Sequence, residues 1–359
     1  MIPDIDDAAR DLLVWFDASL RDLPWRRDRD PYRVWVSEVM LQQTRVETVI
    51  PRFDRWLERF PTLGALAEAG VDDVLAEWEG LGYYSRARNL HAAARVVRDS
   101  LGGRIPATAE ALRELPGVGE YTAGAVASIA FDRPEPAIDV NARRVLVRLF
   151  DIAAPTTSAM RECVAGLIPA ERPGDFNQAL IELGATICRA RSPRCPECPL
   201  AARCLARSRG TIADRPGRAS RPAVPTFELG VAAIVSPSGR ALMVRRSESR
   251  MLGGMWEFPG RVVAPGELPG QAAELAAAAL ADRPQRTRPL AVVHHAYSHR
   301  RHVYHSFLFE ARIEAAPEPG ALAAGGWTAG TWERPDPAGR ALSAAQRRIA
   351  RALSQLFPC

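Results

Sequence analysis

Apolar residues recur at helical spacing through the first 210 residues of the chain. Segments of this kind begin near Leu12 and Val34, and further ones cover Leu66 to Trp78, Leu90 to Val97, Ala123 to Ala130, Val140 to Phe150 and Phe176 to Cys188. Gly or Pro separates them, as turn signals do between helices. A period near 3.6 residues over this length predicts a region that is helical throughout.

The pattern changes after a Gly/Pro/Arg-rich stretch at 211–226, which reads as a linker. Short runs typical of strands follow, with two helical patterns among them. The strands are expected at 230–235, 241–245, 291–293 and 302–309, and the helices at 270–282 and 343–356. The sequence therefore predicts a multidomain protein with an all-α region at 1–210 and an α+β domain at 227–359.

Composition narrows the class of protein. A chain of 359 residues with 47% apolar and 25% charged residues is globular and long enough for more than one core. It contains no apolar run near the roughly 20 residues that span a membrane. Its net charge of +5 is concentrated, because nine arginines and only two acidic residues lie between Arg189 and Arg221. That segment is either a face for a polyanion or a solvated linker.

Four of the six cysteines follow the pattern C-x6-C-x2-C-x5-C, at Cys188, Cys195, Cys198 and Cys204. Two local disulfides would need an oxidising compartment, and the start of the chain does not resemble a signal peptide. A zinc site would ordinarily have two C-x2-4-C pairs, whereas this segment has one. The spacing therefore favours a [4Fe–4S] cluster over zinc and over disulfides.

The segment Leu115 to Gly119 (LPGVG) lies between two helical patterns. Its glycines allow a tight turn that exposes backbone N–H groups at a helix start, where a phosphate can bind. We therefore predict a helix–hairpin–helix at 109–126 with Gly117, Val118 and Gly119 at DNA. A plain turn between two helices is the alternative.

This hairpin, an aspartate at 139 and the cysteine pattern together resemble the endonuclease III superfamily of DNA glycosylases. Residues 34–44 (VWVSEVMLQQT) and 80–86 (GLGYYSR) resemble its MutY-type adenine glycosylases, and residues 227–359 resemble their MutT-like domain. The resemblance implies a six-helix domain at about 30–130 and a cluster domain built from 1–29 and 131–210. It also supports the [4Fe–4S] assignment.

Two carboxyl groups are the candidate catalytic acids. Glu38 lies mid-helix among apolar neighbours, where lost solvation raises a carboxyl pKa and keeps it protonated near neutral pH. The resemblance implies that Glu38 protonates adenine at N7 and later directs water to the sugar. It implies that Asp139, also a good helix N-cap, opposes the positive charge of an oxocarbenium-like transition state, with help from Asn141.

The chain contains no lysine, and all 47 of its basic residues other than histidine are arginine. Bifunctional members of the superfamily use a lysine just after the hairpin to form a Schiff base and cut the strand. The matching position here is Tyr121, which we count with the catalytic residues. The sequence therefore predicts a monofunctional glycosylase.

An enzyme that acts on a stacked base must extrude it from the duplex and fill the gap. Gln43 and Tyr83 resemble the family residues that enter the base stack, although Tyr83 could instead pack at a helix end. Thr44 is a further candidate for DNA binding. Arg26, Leu41 and Glu182 are the candidates for the adenine pocket.

Five of the six histidines lie between His294 and His305, which invites a metal-site interpretation. The alternation of residues 302–307 instead fits a strand. Tyr297, Ser298 and His299 resemble the Phe-Ser-His loop that reads 8-oxoguanine in this family, with tyrosine in place of phenylalanine.

The sequence GMWEFPG at 254–260 also resembles Nudix hydrolases, which hold Mg²⁺ on a glutamate-rich helix. The helical pattern that follows has a single glutamate, Glu274, so nucleotide hydrolysis is not expected.

The sequence as a whole predicts an adenine DNA glycosylase acting on A:8-oxoguanine and A:G mispairs. Its expected partner is double-stranded DNA, and no membrane is expected. We expect a monomer in the cytoplasm, associated with the nucleoid in a bacterium. A related glycosylase for thymine or uracil and a silent cluster-containing DNA-binding protein are the alternatives.

Overall fold

The computed structural model describes residues 5–217, 223–337 and 339–357 of the chain. These residues form two compact units. The first contains the residues before Ala69 and from Asn89 to 217, and the second contains Ala69–Arg88 and the residues from 223 onward. The sequence pattern predicts 69–88 as part of the helical region, whereas the structure groups this segment with the second unit.

Helices account for the regular structure described before residue 217, apart from three short 3-10 turns. They are α1 (Ile5–Ser19), α2 (Pro31–Leu41), α3 (Val46–Arg59), α4 (Leu63–Glu68), α5 (Val71–Glu77), α6 (Ser85–Ser100), α7 (Ala109–Arg113), α8 (Glu120–Phe131), α9 (Val140–Leu149), α10 (Thr157–Ala165), α11 (Pro173–Thr186) and α12 (Leu205–Ser208). The helix predicted over 66–78 is two helices, because the extended backbone at Gly70 separates α4 from α5.

The stretch predicted as a linker is partly structured. Ile212–Asp214 form a 3-10 turn, and the first strand begins at Thr226. The remainder of the predicted linker includes residues 218–222, which lie outside the described residues.

Helix α2 has a well-defined start and a buried interior. The Asp30 side chain accepts a hydrogen bond from the Arg33 backbone N–H at 2.9 Å, and Pro31 occupies the first helical position. Both features favour a helix start at this point. Residues 34–40 are all buried, and α2 packs against α3 and α8. Glu38 is therefore carried by a buried helix.

The core of the first unit includes Leu12 of α1, Leu146 of α9, Val164 of α10 and Leu183 of α11. Helices α9 and α11 approach closely at Gly184, where a Cβ atom would lie 2.6 Å from the backbone oxygen of Asn141. Only glycine permits this contact, which holds the start of α9 against α11.

The second unit contains a mixed sheet. Its strands are β1 (Thr226–Val235), β2 (Ala241–Arg246), β3 (Trp256–Glu257), β4 (Gly260–Val262), β5 (Gln285–Ala296), β6 (Arg301–Glu310) and β7 (Trp327–Glu333). The main order is β3-β2-β1-β6-β5, with β4 on β1 and β7 on β2. Strands β1 and β6 run parallel, and the other pairs are antiparallel.

Alternating residues of β1 supply two cores, as the period of two in a strand requires. Val231 and Ala233 face α15 (Ala344–Ser354), whereas Ala232 and Ile234 face α13 (Pro269–Ala278). Helix α14 (Pro319–Gly325) contributes Leu322 to the α13 side. The sheet is thus covered on both faces.

The predicted fold class is confirmed, with an all-α region followed by an α+β domain. The short strands β3, β4 and β7 and helix α14 were not predicted. None of the described helices combines the length and apolarity that a bilayer crossing requires.

Candidate active site

A cavity of about 810 Å³ in the first unit brings together most of the predicted catalytic and base-pocket residues. Its walls come from α2, α8, α9, α11 and the turn after α2. The predicted residues among its lining are Arg26, Glu38, Leu41, Gln43, Thr44, Gly117, Gly119, Tyr121, Asp139, Asn141 and Glu182. Residues distant in the sequence therefore form one site.

Glu38 is 7% exposed, and its Oε2 accepts a hydrogen bond from the Tyr121 hydroxyl at 2.5 Å. Burial raises the pKa of Glu38 to about 7, and the charge of Asp139 also raises it. The hydrogen bond from Tyr121 and the charge of Arg26 partly oppose this rise. Burial and the two carboxylates also raise the pKa of Tyr121 well above its ordinary value, so its hydroxyl keeps its proton. Glu38 can therefore carry a transferable proton near neutral pH.

Asp139 caps α9 and faces the same cavity. Its Oδ1 accepts from the backbone N–H groups of Asn141 at 2.8 Å and Ala142 at 2.7 Å, and its Oδ2 accepts from Asn141 Nδ2 at 2.8 Å. Burial raises the pKa of Asp139, and these hydrogen bonds and the charge of Arg144 oppose the rise. The Asp139 carboxylate can therefore cap α9 and face the cavity at the same time.

Asn141 is held in turn by Arg144. The Arg144 Nη2 donates to Asn141 Oδ1 at 2.8 Å and to the Gly184 carbonyl at 2.6 Å, and its Nε donates to the Cys188 carbonyl at 2.7 Å. A single guanidinium therefore fixes the asparagine that contacts Asp139.

Glu182 is the acidic centre of a second group in the cavity. It is 3% exposed, and its carboxylate lies 2.5 Å from Arg21 Nε and 3.0 Å from Arg26 Nη2. Within the described structure, Nε and Nη1 of Arg26 are buried without a hydrogen-bond partner. Unpaired buried donors cost free energy, so the Arg26 guanidinium is held here at a cost in stability.

The predicted hairpin is present between α7 and α8. Gly117 has φ +75°, and a Cβ atom there would lie 2.5 Å from the Asn89 side chain, so glycine is required for two reasons. Gly119 caps α8 with an extended backbone. The Val118 side chain is buried, and its N–H donates to the Leu115 carbonyl at 3.1 Å, so Val118 supports the turn from within.

The turn after α2 presents Gln43 to solvent. Gln43 has φ +56°, in the left-handed region that non-glycine residues rarely adopt. Gln42 anchors the turn, since its Nε2 donates to Thr122 Oγ1 at 3.0 Å, and the half-buried Thr44 donates its N–H to the Leu41 carbonyl at 3.2 Å.

The four predicted cluster cysteines are free, half-buried thiols that line one small cavity with Arg148. Arg148 Nη1 lies 3.4 Å from Cys188 Sγ, and the Cys204 thiol donates to the Arg148 carbonyl at 3.4 Å. Burial and the other three thiols raise the pKa of Cys198 to about 11. Across the described ranges no group of three or more His, Cys, Asp or Glu is placed to hold one metal ion.

The arginine-rich segment is less free than its sequence suggests. Ion pairs with acidic side chains involve four of its arginines, namely Arg194, Arg203, Arg209 and Arg215. Arg189, Arg191 and Arg207 are exposed, while Arg218 and Arg221 lie outside the described residues. Three exposed arginines therefore lie near the cysteines in the sequence.

Tyr83 belongs to the second unit and lies on a preformed turn. It has φ +47° and is 41% exposed, and the Arg86 guanidinium stacks on its ring and on that of Trp78. The Trp78 Nε1 and Arg86 Nη2 both donate to the Gly82 carbonyl. The ring therefore packs against Arg86 in the first turn of α6 and stays partly exposed.

The turn at residues 297–300, between β5 and β6, lines the same cavity of about 470 Å³ as the Tyr83 turn. Ser298 and His299 are exposed at its tip, with Ser298 Oγ 3.4 Å from His299 Nδ1. Tyr297 points inward, and its hydroxyl lies 2.8 Å from that of Tyr304. Burial lowers the pKa of the neighbouring His302 to about 4, so this imidazole is neutral at pH 7.

Sequence reasoning missed several residues of the catalytic cavity. Trp25 and Arg21 line it beside Arg26, and Gln42 and Thr122 form its polar bridge between α2 and α8. Trp25 adjoins the predicted Arg26 in the sequence, so proximity alone could have suggested it. Arg21 could not be found, because its partner Glu182 is 161 residues away.

Two family descriptions match the chain. The HhH-GPD superfamily of base excision DNA repair proteins matches residues 36–170, and the NUDIX domain matches residues 230–352. The first match covers the hairpin and both catalytic carboxyl candidates, and the second covers the sheet of the second unit.

Curated relatives are adenine DNA glycosylases. The protein of Mycolicibacterium smegmatis is 45% identical over 213 residues, which is 57% of this chain and 72% of the relative. The protein of Rattus norvegicus is 40% identical over 321 residues, 74% of this chain and 62% of the relative. The chain spans about three fifths of the length of the mammalian relatives it matches.

A solved structure described as a thermostable thymine-DNA glycosylase is 30% identical, with a TM-score of 0.53, and the match covers 56% of this chain and 95% of the other. This likeness supports the fold of the superfamily. Similarity to the M. smegmatis and rat proteins indicates the family within that superfamily. The chain belongs to the MutY-type family of adenine DNA glycosylases.

Proposed function

We propose that this protein is a monofunctional adenine DNA glycosylase that acts as a monomer on adenine mispaired with 8-oxoguanine or guanine in duplex DNA. The observation that carries the proposal is the pair of carboxyl groups in one cavity, with Glu38 protonated near neutral pH and Asp139 held by three N–H groups. Two carboxyl groups in different environments suit acid and anion roles in glycosidic cleavage.

In the proposed reaction Glu38 donates its proton to adenine N7, and the bonding electrons between the sugar C1′ and N9 leave with the base. The Asp139 carboxylate opposes the positive charge that develops on the sugar. Water then adds at C1′ and gives its proton to the Glu38 carboxylate. Tyr121 holds Glu38 by its hydroxyl, and Asn141 holds Asp139.

Arg26, Leu41 and Glu182 form the proposed adenine pocket, together with Trp25. Arg26 lines this part of the cavity and would donate to acceptor atoms of the base. Trp25 and Leu41 supply apolar surface for its faces.

The exposed residues on the two strained turns suit insertion into DNA. Gln43 would enter the space that the extruded base leaves, and Tyr83 is a further residue proposed to enter the DNA. Gly117 and Gly119 would bring the start of α8 to a phosphate. Thr44 supports the Gln43 turn from the protein side.

We propose that the second unit reads the opposite base and does not hydrolyse nucleotides. Ser298 and His299 present their polar atoms at the tip of the 297–300 turn. Helix α13 carries one acidic residue, Glu274, which lies 3.1 Å from Arg286 Nη1. A single, ion-paired glutamate is a poor site for Mg²⁺.

We further propose that Cys188, Cys195, Cys198 and Cys204 hold a [4Fe–4S] cluster. The four thiols line one cavity, and their C-x6-C-x2-C-x5-C spacing has only one of the close cysteine pairs that a zinc site ordinarily has, which favours a polynuclear group. Bound there, the cluster would stabilise the loop that carries the exposed arginines, and bond cleavage needs no electron from it.

Adenine release measured on A:8-oxoguanine, A:G, T:G and U:G duplexes tests the proposed function. We expect adenine release from the first two and no thymine or uracil release. The likeness to a thymine-DNA glycosylase makes a thymine product the main alternative. Release of thymine or uracil, or binding without release from any duplex, would reject the proposal.

Borohydride reduction tests the monofunctional mechanism. Because the chain has no lysine and Tyr121 occupies the position after the hairpin, we expect no efficient covalent trapping of enzyme on DNA during adenine release. A lysine-dependent glycosylase on its own substrate serves as the positive control. Efficient trapping by this protein would show that another amine forms a Schiff base.

A further inference from the structure

The turn at 297–300 is built on a tight pair of strands. Ala296 pairs with Arg301 and His295 with His302 in the antiparallel β5–β6 ladder, and the Tyr297 N–H donates to the Arg300 carbonyl at 2.8 Å. This geometry leaves Ser298 and His299 at the tip. Their positions therefore depend on how the residues at the base of the turn are held.

A chain of polar side chains holds the base of the turn from beneath. The Tyr297 and Tyr304 hydroxyls are 2.8 Å apart, and the Tyr304 hydroxyl is 3.0 Å from His302 Nδ1. Tyr304 and His302 are buried, at 5% and 8% exposure. Tyr304 and His302 both belong to β6, so the turn is tied to that strand.

Ring contacts fix the orientation of Tyr297 as well. Its ring meets those of His295 and His302 edge-on, at centroid distances of 4.4 Å and 5.1 Å. Phenylalanine at this position could keep these contacts, but it would leave the buried Tyr304 hydroxyl without its partner at 2.8 Å. The extra hydroxyl of Tyr297 therefore has a defined structural use.

We propose that Tyr297 is a positioning residue for recognition of the opposite base, and that its hydrogen bond to Tyr304, backed by His302, sets the placement of Ser298 and His299. The inference rests on the proposed function and extends it. It also explains part of the histidine cluster, because His302 ends the chain of hydrogen bonds beneath the turn.

The test compares single-turnover adenine release on A:8-oxoguanine and A:G duplexes for Tyr297→Phe, Tyr304→Phe and the double variant. We expect each single change to lower the ratio of the two rates by about fivefold, a typical effect of one lost hydrogen bond. The double variant should lose no more than Tyr304→Phe alone, because that change already removes both the bond to Tyr297 and the bond to His302.

Tyr32→Phe is the matched control, since it removes a buried hydroxyl that bonds the Phe60 carbonyl at 2.8 Å in the first unit. It should leave the ratio unchanged. Equal losses on both duplexes, or additive losses in the double variant, would reject a positioning role for Tyr297.

Ser298→Ala separates this inference from the function on which it rests. If wild-type protein releases adenine and Ser298→Ala lowers the ratio while Tyr297→Phe does not, only the inference fails. If Ser298→Ala leaves the ratio unchanged, the turn does not read the opposite base and the inference fails with it. Absence of adenine release by wild-type protein overturns both.

Discussion

Glu38→Gln should bind an A:8-oxoguanine duplex as the wild-type protein does and release adenine at least about a thousandfold more slowly. Glutamine keeps the size of the side chain and can still accept from Tyr121, but it has no proton to give. Loss of a positioned general acid typically costs 10²–10⁴ in rate, and Glu38 is proposed to act in both base departure and water addition. Single-turnover kinetics and duplex affinity are the measurements.

Ser37→Ala is the control for this change. It alters the adjacent buried residue, whose hydroxyl donates to the Val34 carbonyl at 2.8 Å, and leaves the acid in place. Undiminished release by Glu38→Gln would remove Glu38 from the mechanism.

In wild-type protein the rate of adenine release should fall as pH rises through about 7, because Glu38 then loses its proton.

Asp139→Asn should lower the rate of adenine release by about 10²–10³, the usual effect of removing one electrostatic contact to a transition state. Asparagine is as good an N-cap as aspartate, so α9 should keep its start. The change therefore removes a negative charge near the sugar with little effect on folding. Single-turnover release and thermal unfolding, measured together, distinguish the two effects.

Thr156→Ala is the control for Asp139→Asn, because it should lower stability and leave the rate unchanged. It removes a cap from α10, where the Thr156 side chain accepts from the Ala159 N–H at 3.2 Å, without changing charge. It should cost about 1 kcal/mol in stability and preserve adenine release. A rate loss in Asp139→Asn no larger than that of Thr156→Ala would mean that Asp139 acts only as a cap.

Local patterns predicted the features that depend on neighbours in the sequence. The apolar residues around Glu38 predicted its burial, and the residues after Asp139 predicted its cap, which the structure forms with Asn141 and Ala142. The LPGVG turn predicted the hairpin because its glycines are needed for backbone reasons. In each case the physical cause lies within a few residues.

Long-range contacts were beyond prediction because one chain gives no measure of which distant groups meet. Nothing near Gly117 indicates that Asn89 fills the space beside it. The assignment of residues 69–88 is a second example. Glu79 lies 2.8 Å from Arg347 and helps to tie this segment to the second unit, yet the two residues are 268 positions apart.

The hydrogen bond of the Tyr297 hydroxyl could not be predicted from the sequence for a related reason. Its partner Tyr304 is only seven residues away, but the contact depends on the turn that folds β5 onto β6. The sequence showed a departure from the family pattern without showing what the added hydroxyl does.

The left-handed backbone at Gln43 and Tyr83 has a consequence for attempts to engineer or evolve this protein. Glycine adopts this conformation without strain, so selection for thermal resistance alone would favour it at both positions. Such a substitution would also remove the side chain that we propose to enter the DNA. Thermal stability and the proposed insertion into DNA therefore favour different residues at these two positions. A screen for stabilised variants should measure both thermal unfolding and adenine release.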